Sequence, residues 1–162
     1  MAEALIKVGM ADLKASAHPS GLTTLGLGSC VGISLYDAGT KVIGMAHIML
    51  PDSKHVRDGV NKAKFADTAV EALVGEMLGL GARKGHMVAK LAGGAQMFAL
   101  SVTTDLMKVG LRNAIAAKDA LKAMGIPVVA EETGGSFGRT IELYSVNGRL
   151  LIKTIGHGMR EL

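Results

Sequence analysis

The stretch Thr24-Leu-Gly-Leu-Gly-Ser-Cys30-Val-Gly-Ile-Ser-Leu-Tyr-Asp37-Ala-Gly-Thr40-Lys-Val-Ile-Gly-Met-Ala-His47 carries two strand patterns around one turn. Val31, Ile33 and Leu35 alternate with Gly32, Ser34 and Tyr36, the period of two that a pleated strand imposes. From Val42 to Leu50 the chain is apolar on both parities, which predicts a strand covered on both faces. Asp37-Ala38-Gly39-Thr40 between them predicts a hairpin turn. If Asp37 pairs with Thr40, the same register sets Cys30 directly across from His47, on one face of the sheet. Opposed residues have Cβ atoms about 4.5–5.5 Å apart, close enough for a thiol to meet an imidazole. A slip of one residue would send the two side chains to opposite faces.

Before this hairpin, Leu5–Val8 and Thr23–Leu27 are β-prone, with a polar turn at His18-Pro19-Ser20-Gly21. After it, Pro51-Asp52-Ser53 ends the second strand. Asn61 to about Leu80 predicts a helix whose apolar stripe is Ala66, Val70, Leu73, Met77 and Leu80. Met87–Leu91 predicts a buried strand, and Gly93-Gly94 a turn. Ala114, Ala117, Leu121 and Met124 mark a second helix closed by Gly125 and Pro127. Strands follow at 126–130, 140–146 and 150–155, the last two joined by Asn147-Gly148 as a tight hairpin. Strict alternation of strand and helix fails, so layered α+β in one domain over residues 1–162 is the expectation.

Composition narrows the function classes. The chain is 49% hydrophobic but only 3% aromatic, without Trp, so the core must be aliphatic and filled by the ten Met. No apolar run is long enough for a membrane span, and residues 1–5 lack the basic-then-apolar pattern of a leader; the expectation is a cytoplasmic protein. A single Cys cannot form an internal disulfide, which fits a reducing compartment. The net charge of +4 is scattered and the five aromatics lie far apart in sequence, which argues against nucleic-acid binding. One Cys and no paired His spacing argue against a metal centre. His18, His55, His86 and His157 sit beside turns and read as solvated loop residues.

Cys30 therefore carries the chemistry, or none does. A lone Cys among apolar residues is commonly an inert core filler. Opposite an imidazole it becomes a nucleophile, because the imidazole can take the thiol proton and later return it to a leaving amine. Gly28 and Ser29 would let backbone approach a substrate, with N–H groups near Cys30 holding an oxyanion. The Gly26/Gly28/Gly32 spacing is not a dinucleotide fingerprint. Gly28-Ser-Cys30-Val-Gly32 fits the form of a nucleophile elbow, but a strand follows it where that motif needs a helix.

Leu25-Gly-Leu-Gly-Ser-Cys-Val31, Ala46-His-Ile-Met-Leu-Pro-Asp-Ser53, Lys64-Phe-Ala-Asp-Thr-Ala69, Gly93-Gly-Ala-Gln-Met-Phe98 and Ala130-Glu-Glu-Thr-Gly-Gly-Ser-Phe-Gly-Arg-Thr140 together resemble the CheD family of chemoreceptor glutamine deamidases. The resemblance implies an α/β/β layered fold like that of the cytotoxic necrotizing factor deamidases, and a Cys–His–Thr triad. Cys30 and His47 carry over directly, and the threonine falls on Thr24, with Thr23 adjacent. It implies methyl-accepting chemotaxis receptors as substrate, the CheC phosphatase as a partner, and no cofactor. Glu131–Gly135 reads as a strand end and turn, with a wall of the substrate groove as the functional alternative. Gln96 and Phe98 follow the Gly-Gly turn; core packing of Phe98 is the default reading, with a partner contact as the alternative. Two further readings stay open at this point: a non-catalytic module that binds CheC and receptors, and a thiol hydrolase acting on a small amide or ester.

Overall fold

A computed structural model describes residues 5–97 and 108–162 of the chain. The readings made of residues 1–4 and of Phe98 lie outside them.

Among the described residues ten strands form two five-stranded sheets. One has the order β1(Leu5–Lys7), β3(Gly21–Leu27), β8(Arg139–Tyr144), β9(Leu150–Thr154), β10(Gly158–Glu161). The other has the order β2(Leu13–Ser16), β5(Val42–Ile48), β4(Val31–Asp37), β6(Met87–Gly93), β7(Val128–Thr133). Among the described residues there are two α-helices, α1(Ala66–Gly79) and α2(Val109–Ala123).

Side-chain alternation on the central hairpin sorts the layers. Val31, Ile33 and Leu35 of β4 and Val42, Ala46 and Ile48 of β5 pack under α1 and α2. Cys30, Ile43 and Met45 face the other way, onto Leu22, Leu27, Ile141, Leu143 and Ile152 of the first sheet. Both faces of β5 are thus covered, and all seven of its residues are buried, as its unbroken apolar run requires. The result is α+β: helices on one face of a sheet, a second sheet on the other.

The turn of the central hairpin corrects the expected register. Asp37 pairs with Val42, and Gly32, not Cys30, lies opposite His47. The loop holds four residues because the Asp37 carboxylate folds back on it. Its Oδ1 accepts from the Gly39 N–H at 2.8 Å and weakly from Thr40 at 3.4 Å, and Lys41 takes a left-handed φ of 61°. The shift is two residues, so facing is conserved and Cys30 stays on the His47 side.

Asp37 is itself fully buried. Burial alone would raise its carboxyl, but N–H donors from Arg83 (2.9 Å), Gly39 and Thr40 outweigh it and hold it below the ordinary carboxylate range. Its stabilisation is complete at neutral pH and is lost as pH falls through that depressed value. Replacing Asp37 by Ala, which strands these donors, is expected to cost about 2–3 kcal/mol in urea unfolding at pH 7. An unchanged midpoint would refute this account of the loop.

Other elements depart from the sequence reading for local reasons. The expected helix from Asn61 splits: a 3-10 turn at Lys62–Lys64 precedes extended Phe65, because the Lys64 carbonyl accepts from both Met49 and Leu50 N–H. Leu80 lies past the helix end and is 44% exposed, so the stripe ends at Met77. The second helix ends as expected. Gly125, at φ 74°, closes it with Gly125 N–H to Lys122 and Ile126 N–H to Leu121. Asn147-Gly148 does join β8 to β9, but in a four-residue loop, 145–148, with Tyr144 bonded to Arg149. A Cβ on Gly148 would sit 2.4 Å from the Tyr36 ring. Strands β2 and β10 carry too little pattern to be found in the sequence.

Candidate functional site

Cys30 is the last residue before β4 enters its ladder, at the end of the sheet where β6 stops and the chain turns through Gly93 and Gly94. The loop that carries Cys30 is pinned by its carbonyls. Gly28 C=O accepts from Ala95 N–H and Cys30 C=O from Gly94 N–H, both at 2.8 Å. Gly93, at φ 110°, must lack a side chain, since a Cβ would lie 2.3 Å from the Cys30 oxygen. Ser29 and Gly28 are half-buried.

His47 lies on the same face of the sheet, opposite Gly32. With no side chain at Gly32, Ile141 and Leu27 from the other sheet close over that position. The imidazole is 1% exposed, whereas Cys30 keeps 8% of its surface accessible among neighbours that are mostly at 0%. Both residues are buried, Cys30 the less completely of the two.

The first sheet supplies the third group. Thr24 Oγ1 lies 2.7 Å from His47 Nδ1 and 2.7 Å from the Val8 carbonyl. A carbonyl only accepts, so the single hydroxyl proton goes to Val8 and Nδ1–H must donate to Oγ1. This fixes the imidazole as the Nδ1–H tautomer and leaves a lone pair on Nε2. Nε2 is buried and has no hydrogen-bond partner among the described residues. It is the one nitrogen of the ring free to take a proton. Thr23, the neighbouring candidate, points to the opposite face and donates to Ile141 C=O at 2.8 Å. Strand alternation thus separates the two threonines, and only Thr24 touches the imidazole.

Burial pushes the Cys30 thiol up, with its own backbone N–H drawing it partly back. Burial likewise pushes the His47 imidazole down. Both shifts favour neutral partners at rest.

The remaining sequence candidates fall around this centre. Glu131–Gly135 ends β7 beside the thiol loop. Gly134 N–H donates to Gly93 C=O, and Gly135 C=O accepts from the N–H of the exposed Gln96. The buried Arg139 ties this corner together, donating to Glu132 at 2.8 Å and to Gly93 C=O at 3.2 Å. His18, His55, His86 and His157 are all exposed and distant in role: His18 pairs with Ser145, and His157 stacks on Phe137. Among the described residues no group of His, Cys, Asp and Glu is arranged to hold a metal, and no helix is long and apolar enough to cross a membrane.

Sequence reasoning missed Asn113, which is buried in α2 and donates to carbonyls on both sides of the site. Its only signal was a polar residue one position before Ala114 in an apolar stripe.

A family model described as CheD chemotactic sensory transduction matches residues 49–154. Full-length relatives also cover the 24–47 stretch. The chain is 57% identical over 160 residues to a probable chemoreceptor glutamine deamidase CheD of Caldanaerobacter subterraneus subsp. tengcongensis, covering 99% of each. It is 51% identical over 158 residues to one of Lachnoclostridium phytofermentans, covering 98% of each. It is 48% identical over 159 residues to the chemoreceptor glutamine deamidase CheD of Halalkalibacterium halodurans, again covering 98% of each.

Proposed function

The chain belongs to the CheD family, and on that premise we propose that it is a cysteine-dependent protein-glutamine deamidase acting on methyl-accepting chemotaxis receptors. One observation carries the reading at residue level. Thr24 fixes the His47 tautomer so that an unpartnered Nε2 lies on the Cys30 side of the sheet.

In this reading Cys30 Sγ attacks the side-chain amide carbon of a receptor glutamine while its proton passes to His47 Nε2. The Cys30 and Ser29 N–H groups hold the oxyanion, with Gly28 giving close approach. The Nε2 proton then goes to the amide nitrogen, the C–N bond breaks, and ammonia leaves. Water gives a proton to Nε2 and its oxygen attacks the thioester. The C–S bond breaks, sulfur recovers the proton, and glutamate remains. No step calls for a cofactor. The resting hydrogen bond between thiol and imidazole is unmade, which is common before substrate tightens a site.

The same reading makes residues 1–162 one deamidase domain of the cytotoxic necrotizing factor type, working in the cytoplasm where receptor signalling regions lie, with CheC as a partner. Incubation with a purified receptor cytoplasmic region is expected to release ammonia and to add about 1 Da per modified glutamine. Release from free glutamine or small esters, with none from receptor, would favour a small-molecule thiol hydrolase instead.

Thr24 supplies an internal check. Thr24→Ser keeps the hydroxyl relay and is expected to stay within about threefold of the parent rate. Thr24→Val leaves Nδ1–H and the Val8 carbonyl unpaired, and a loss of about 10–100-fold is expected. Equal rates for the two variants would remove Thr24 from the relay.

A further inference from the structure

We propose that Asn113 is a positioning residue of the thiol site, holding the Ser29–Cys30 peptide plane and tying it to the end of the His47 strand. The reaction it serves rests on the deamidase reading above.

Asn113 is 0% exposed in α2. Its Nδ2 donates to the Ser29 carbonyl at 2.9 Å and to the Met49 carbonyl at 3.0 Å. Two carbonyl acceptors leave no choice of amide orientation, because only the NH2 group can face both. Its Oδ1 is consequently buried with no partner among the described residues. An apolar residue at this point of the helix would avoid that penalty. What the asparagine supplies in return is a link between the residue before Cys30 and the residue two beyond His47.

The peptide geometry says what the link does. In a trans peptide the C=O of one residue and the N–H of the next point in opposite directions. Drawing Ser29 C=O toward α2 therefore turns the Cys30 N–H away from the helix, to the side of its own sulfur. Among the described residues no backbone carbonyl accepts from that N–H. It is left as a donor beside the attacking atom, where an oxyanion would form. The flanking carbonyls of Gly28 and Cys30 are held by backbone N–H groups. Ser29 is the member of the three held by a side chain. Close approach of α2 makes a short asparagine long enough. One turn earlier, a Cβ on Gly110 would sit 2.4 Å from the Ala95 oxygen.

The test uses the full chain with a receptor cytoplasmic fragment, comparing Asn113→Ala, Asn113→Ser and Leu121→Ala. The last is a buried α2 substitution that destabilises without touching the site. Asn113→Ala is expected to lose about 100-fold in kcat with KM within about twofold of the parent. Asn113→Ser, keeping one donor, is expected to fall between. Leu121→Ala is expected to keep its kcat below its melting temperature. Alkylation of Cys30 by iodoacetamide is followed against pH in each protein. The parent is expected to show an inflection that vanishes in His47→Gln, and Asn113→Ala to lose it too. A folded Asn113→Ala with parental kcat and parental alkylation profile would overturn the assignment; if that variant does not fold, the same result in Asn113→Ser overturns it. A parent that releases no ammonia would overturn the deamidase reading instead, and the alkylation profile alone then decides Asn113.

Discussion

Cys30→Ala is expected to lower ammonia release from a receptor fragment by roughly 10⁴-fold or more while the protein stays folded. The size of the loss follows from the chemistry. Without sulfur there is no acyl intermediate, and the remaining donors can only orient an amide that water attacks poorly. Retention of the fold follows from the position. Cys30 lies just before β4 in the layer between the sheets, and its backbone is held by Gly94, with the peptide before it held by Asn113. Alanine makes the same backbone contacts and leaves only a small void, at a cost of about 1 kcal/mol or less. Far-UV circular dichroism and a thermal melt establish the fold, and mass spectrometry of the receptor fragment reads the reaction. Cys30→Ser should be nearly as inactive, since its hydroxyl is a far weaker nucleophile at neutral pH. Full deamidation by Cys30→Ala would end the nucleophile assignment. If His47→Ala also kept every activity, a regulatory module that only binds receptors and CheC would be the better account.

His47→Gln is expected to cost about 10³–10⁴-fold in kcat, through loss of the base and of the acid that protonates departing ammonia. The parental pH profile tests the burial argument separately. Burial holds the imidazole below its ordinary value of 6.5, so His47 is neutral, and able to accept the thiol proton, at pH values where a solvated histidine is charged. The acid limb of kcat/KM is therefore expected below pH 6.5. The same shift acts on stability. Between the ordinary value and the depressed one, the unfolded chain binds a proton that the native chain does not. Stability is thus lost as pH falls through that window, and His47→Gln removes this part of the loss. A parental acid limb above 6.5 would contradict the sealed, neutral imidazole.

Much of the layered arrangement was legible before any coordinates. Period-two alternation in 31–36 and the unbroken apolar run of 42–50 point to the faces of β4 and β5 that the two core layers cover. Less was legible where one backbone group overrides pattern. Phe65 looks helical by spacing, yet it is extended because the Lys64 carbonyl serves the strand end at Met49 and Leu50. Glu131–Gly135 read as a plain strand end, and its contact with Gly93 depends on a parallel pairing that no local signal encodes.

The alternation in the sequence pointed to Cys30 and His47 on one face, and the structure keeps the face though not the direct pairing. Parity along a hairpin survives any even change in the loop, and the Asp37 turn changed it by two. Tertiary structure decided the rest of the site. The choice of Thr24 over Thr23 comes from the second sheet packing on the first, which presents alternate residues of β3 to the imidazole. The role of Asn113 comes from a helix more than 60 residues away closing on two carbonyls. Neighbours in a strand are fixed by bond geometry and can be counted from the chain, whereas contacts between layers exist only once the core has been buried.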